Sequence, residues 1–73
     1  MKLVEIAASP CGGGPSCPTV HATDRGTIAV KGYVIDDPEA LSVLELPPGE
    51  GVVEIPVALL LASAASVSRQ VPQ

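Results

Sequence analysis

With 73 residues, the chain has room for one domain at most, near the size at which a single hydrophobic core only just suffices. Its net charge is −4, and the four cations, Lys2, Arg25, Lys31 and Arg69, are scattered without forming a basic stripe, which argues against direct nucleic-acid binding through phosphate neutralisation. Phe and Trp are absent, so the core must come from Val, Ile, Leu and Ala, and such a chain usually leans on a disulfide, a metal or a second copy of itself.

Lys2 to Ala7 reads as a first strand, with Val4 and Ile6 on one face and Leu3 and Glu5 on the other. The same residues do not resemble a secretory signal, because Glu5 interrupts an apolar run that is already too short. The longest apolar segment, Val57 to Ala65, falls far below the roughly 20 residues that cross a bilayer. A cytoplasmic protein without membrane contact is the expectation. Ser9 to Pro18 is a loop, since its prolines and Gly12-Gly13-Gly14 preclude a regular element. Cys11 and Cys17 bracket it.

Thr19 to Ile35 then predicts a β-hairpin folded about Asp24-Arg25-Gly26, because Thr, Val, Ile and Tyr favour a pleated, half-buried surface. In the turn, Asp24 is expected to bond backbone amides, Gly26 to supply a positive φ and Arg25 to point to solvent. The second strand is expected to run from Ile28 to Ile35. Ile28, Val30, Gly32 and Val34 share one face, and Ala29, Lys31, Tyr33 and Ile35 the other, so both faces are largely apolar. Gly32 marks a bulge or a close approach of another backbone.

Asp37 is placed to cap a short helix, with Pro38 at its first position and Glu39 at the positive end of its dipole. Pro47-Pro48-Gly49 turns the chain, and Val52 to Ile55 is expected as a third strand of the same sheet. Pro56 opens a second helix with an apolar stripe at Val57, Leu60, Leu61 and Ala64, widened by Leu59, Ala62 and Ala65. From Ser66 onward a disordered tail is expected, leaving residues 1–65 as one domain. The fold class is α+β, a three- to four-stranded antiparallel sheet with a C-terminal helix.

Three residues carry the sharpest chemistry. In Cys11-x5-Cys17-x3-His21, thiolate and imidazole are preferred zinc ligands, with a fourth ligand to come from Asp24, water or another subunit. A Cys11–Cys17 disulfide closing the Gly-rich loop is the alternative, and two reduced thiols in or near the core are the plain one. His21 sits between Val20 and Ala22 without a catalytic chain order around it, and the domain is small for a substrate pocket, so no enzyme is expected. Arg25 is first a turn residue, yet an exposed Arg also forks onto a carboxylate or phosphate. The wide stripe of the second helix is either core or a partner surface. Arg25, Tyr33, Leu59 and Leu60 are the candidate partner-binding residues.

Cys17-Pro18-Thr19, Thr23-Asp24-Arg25-Gly26-Thr27, Val30-x-Gly32-Tyr33 and Val53-Glu54-Ile55-Pro56 resemble a set of short, largely uncharacterised actinobacterial proteins, over roughly residues 9 to 61. In layout, the order of strands, Asp/Pro loop and helix is more distantly similar to BldB-type small acidic proteins of the same bacteria. That resemblance implies an accessory protein of transcription regulation that pairs with a helix-turn-helix regulator. The expectation is a homodimeric, non-enzymatic interaction module, and the alternative is a metal-binding or redox-responsive small protein using Cys11, Cys17 and His21.

Overall fold

The computed structural model describes residues 1–10 and 17–70. β-branched and small residues build three strands, β1 (Leu3–Ala8), β2 (Thr19–Thr23) and β3 (Ile28–Lys31), into an antiparallel sheet of order β1-β2-β3. Pairing of β1 with β2 passes from Glu5 opposite His21 to Ala7 opposite Val20, which leaves Ile6 as a bulge without a cross-strand partner. The Ile6 carbonyl is satisfied from elsewhere, by the Ser66 hydroxyl at 3.0 Å.

The hairpin between β2 and β3 is closed by threonine rather than aspartate. Thr23 Oγ1 accepts the N–H groups of Arg25 at 3.1 Å and Thr27 at 3.2 Å, and lies 2.7 Å from Thr27 Oγ1. Gly26 adopts the expected positive φ of 76°. The amide-binding role expected of Asp24 therefore belongs to Thr23. Its N–H is already tied to the Thr27 carbonyl, which sets its hydroxyl over the turn, while Asp24 gives its own N–H to the Lys2 carbonyl.

The second strand of the hairpin does not run on to Ile35. It stops at Lys31, and after Gly32 the chain enters a separate two-stranded ribbon of β4 (Tyr33–Val34) and β5 (Val53–Glu54). Val52 to Ile55 thus pairs with β4 instead of extending the main sheet. The reason sits at Gly32. A Cβ there would come within 2.6 Å of the Glu54 carbonyl oxygen and 2.8 Å of Ile55 Cγ2, so the returning chain crosses where a side chain would stand. The close approach read from the sequence is real, and it divides one expected sheet into two.

Between β4 and β5 lies α1 (Pro38–Leu44). Asp37 caps it, its carboxylate accepting the Ala40 N–H at 2.9 Å, with Pro38 in the first turn as expected. The helix ends at Glu45, which takes a left-handed φ of 51° and gives its N–H to the Leu41 carbonyl. A Pro47–Glu50 turn with Gly49 at φ 91° then reverses the chain.

The last element, α2 (Val57–Gln70), lies over β1 and β2. Its buried residues are Leu59 and Ser63, followed by half-buried Ser66 and Val67, a spacing of one helical face. The stripe expected to seek the core, Val57, Leu60, Leu61 and Ala64, is instead turned outward. Serine is tolerated inside because its hydroxyl is satisfied: Ser63 Oγ donates to the Leu59 carbonyl at 2.7 Å, and Ser66 Oγ to Ile6. The same contact explains why the helix does not end near Ala65. Ser66 is docked on the β1 bulge, and the tail expected from that point is helix as far as Gln70. Cys17, Val20 and Leu59 are the buried apolar core, with Val20 only 2 % exposed.

Candidate interaction surface

Of the cysteine–histidine cluster, the described residues contain Cys17 and His21. Cys17 is buried at the entry to β2 and is disulfide-bonded. Cys11, the other cysteine of the sequence, lies outside the described residues. His21 is two residues further along β2 than Thr19, on a strand that advances about 3.3 Å per residue, and stands opposite Glu5 on β1 and Ala29 on β3. Among the described residues, no three His, Cys, Asp or Glu side chains gather as a group able to hold a metal ion. A zinc site on Cys11, Cys17 and His21 would first require reduction, since a metal binds the thiolate. The reading of Cys17 as a reduced thiol is corrected by its disulfide; its burial was anticipated.

The four candidate partner-binding residues separate. Leu59 is 3 % exposed and belongs to the core, where it meets the sheet with Val20. Leu60, its neighbour, faces outward at 60 % exposure, and Tyr33 is exposed on β4. Arg25 is exposed at the tip of the β2–β3 hairpin, on a different element from the helix stripe.

A larger surface emerges that single residues did not suggest. The excursion from Tyr33 to Glu54, comprising β4, α1 and β5, contains no fully buried side chain, its most sheltered apolar residues being half-buried Ile35, Ala40, Leu41 and Val52. Val34 and Val43 are each 78 % exposed, and Leu44, Leu46 and Tyr33 are also on the surface. These apolar groups share the segment with Asp36, Asp37, Glu39, Glu45, Glu50 and Glu54, and with no Lys, Arg or His. The rest of the chain holds all four cations against only Glu5 and Asp24. The charge of the protein is therefore partitioned: a strongly acidic arm extends from a body with a small positive excess. That partition was legible in the sequence as a run of carboxylates uninterrupted by any cation.

No helix among the described residues is long and apolar enough to cross a membrane. Comparison with protein-family models, with curated proteins and with solved structures returns no match.

Proposed function

We propose that the chain is a small non-enzymatic accessory protein of the cytoplasm that binds a protein partner and modulates it, the partner being a helix-turn-helix transcriptional regulator. One observation carries this reading: the acidic arm presents Val34, Val43 and Leu44 among six carboxylates and no cation. Apolar anchors supply binding energy, and a surrounding field of one sign selects a partner of the other and speeds its encounter. DNA-binding proteins offer such basic surfaces. The regulator itself comes from the resemblance in layout to BldB-type proteins. The test is affinity capture with the full chain as bait, beside a Val34→Lys/Val43→Lys variant, followed by identification of the bound proteins. The wild type should retain a helix-turn-helix protein that the variant loses and that added salt weakens. Recovery of no DNA-binding regulator, or equal recovery by both baits, would overturn the reading.

A second reading has its own observation in the disulfide at Cys17. Disulfides in a reducing cytoplasm are usually redox-active rather than structural, so a redox-responsive protein using Cys11 and Cys17 is the alternative. In its metal-binding form, reduction frees the thiolates for zinc, with His21 as a third ligand. Native mass spectrometry with and without reductant separates these forms. A gain of two hydrogens on reduction, with no zinc adduct, favours the redox form, and a stoichiometric zinc adduct of the reduced chain favours the metal form. A mass unchanged by reductant and free of a zinc adduct excludes both.

A further inference from the structure

The arm is not the only uncovered apolar surface, and the second one differs from it in charge. From Val57 to Ser68, α2 contains no charged residue. Leu60 is 60 % and Leu61 66 % exposed, in line with Val57 and Ala64 on the outward face. Beside α2 the sheet is also incompletely covered. Packed helices lie about 8–10 Å apart and strands about 4.8 Å, so one helix shelters about two strands, and α2 shelters β1 and β2. Val30 is paired with buried Val20 and shares its face of the sheet, yet Val30 and its strand neighbour Ile28 remain exposed.

We infer that the outer face of α2, together with Ile28 and Val30 of β3, is a self-association surface on which the same face of a second copy docks across a two-fold axis. A two-fold interface sets like against like. Arm against arm would bring two sets of six unbalanced carboxylates together, a repulsive arrangement. The α2 face meets its own copy with no such penalty. Neutral apolar surface thus serves the second copy, and acidic apolar surface stays outward.

The inference does not depend on the arm's partner, and its test uses the purified full chain alone. Light scattering coupled to size exclusion should give about 15 kDa, twice the chain mass of 7.3 kDa. The thermal midpoint of a dimer rises with protein concentration, and that of a monomer does not. Leu60→Glu/Leu61→Glu should give a monomer with retained β-sheet circular dichroism, whereas Val34→Lys/Val43→Lys should leave the dimer intact. Should the helix variant fail to fold, the wild type still decides. In a mixture of isotope-labelled and unlabelled chains, intermolecular contacts should link the methyl groups of Leu60 and Leu61 to those of α2, Ile28 or Val30 in the other copy. A monomer at about 100 μM, where even weak specific dimers form, would overturn the inference. So would a dimer that survives the helix variant, or intermolecular contacts confined to Val34 and Val43.

Discussion

The body of this protein and its arm are built by different kinds of interaction. In the body, β1 to β3 and α2 are joined by contacts between residues far apart in sequence, among them the Ser66 hydroxyl on the Ile6 carbonyl. Val20 and Leu59 are sealed between the two layers, and a disulfide fixes Cys17 at the edge. The arm has the short β4–β5 ladder as its one such link among the described elements, and no fully buried side chain. Its helix is defined by an Asp37 cap, a Pro38 start and a left-handed Glu45 stop, and its return by a Pro-Gly turn, all within a few residues of one another. Local signals can specify where a helix begins and ends while it only half-buries Ala40 and Leu41. A short helix is marginal on its own account, so the arm's stability depends on what it touches, and within this chain it fully buries no side chain.

The comparison is broken most severely through the core. Leu59→Ala should cost about 3 kcal/mol, since it removes buried methyl groups and leaves a cavity between α2 and the sheet. Val43→Ala in the arm should change stability by under about 0.5 kcal/mol, because that side chain is already in water. Urea unfolding of the two variants measures the contrast, and similar losses would mean that the arm is buried in solution. Next in size is the joint between the regions. Gly32→Ala places a Cβ against the Glu54 carbonyl, a backbone atom that cannot swing aside, and should cost about 2 kcal/mol. The loss should come with disruption of β4–β5 pairing, read from the amides of Ile35 and Glu54. Unchanged stability would show that the crossing is looser than its geometry.

A smaller change tests whether the arm opens by itself. Asp37→Ala deletes the bond to the Ala40 N–H and should cost about 1 kcal/mol of local helix stability. Hydrogen exchange should quicken at Leu41 and Glu45, whose amides bond within α1, and remain unchanged at Val20 in β2. Equal acceleration in both regions would make body and arm one cooperative unit.

The same division decides what could be read from the sequence. The hairpin turn, the Asp37-Pro38 helix start and the Pro47–Gly49 reversal were all legible, because each is specified by residues that touch one another along the chain. Gly32 was legible as a site of close approach, but not as the point where the sheet divides. That outcome depends on Val53 to Ile55 arriving across it, which no local pattern encodes. The phase of α2 was missed for a related reason. Counting apolar side chains selects Val57, Leu60, Leu61 and Ala64, whereas the buried face includes two serines whose hydroxyls find carbonyls, one of them exposed by the bulge in β1. The apolar stripe that the pattern selects is therefore the outward one. Of the four candidate partner-binding residues, Arg25, Tyr33 and Leu60 are exposed and Leu59 is buried, and the acidic arm corresponds to a run of carboxylates without a cation.

The smallest effect reaches into the body itself. Thr19 Oγ1 is buried and has no hydrogen-bond partner among the described residues, in a strand where Thr19 pairs with Ala8 on one side and Lys31 on the other. A desolvated hydroxyl without a partner costs stability, and valine keeps the β-branched shape that a strand accepts. Thr19→Val should therefore raise stability by about 0.5–1 kcal/mol, as a higher urea midpoint at unchanged slope. Because the change lies in the sheet, exchange in α1 should not respond, which separates it from Asp37→Ala and sharpens the boundary between the two regions. A lowered midpoint would instead show that the hydroxyl is bonded in solution, and that this end of β2 is held by a polar contact rather than by apolar packing alone.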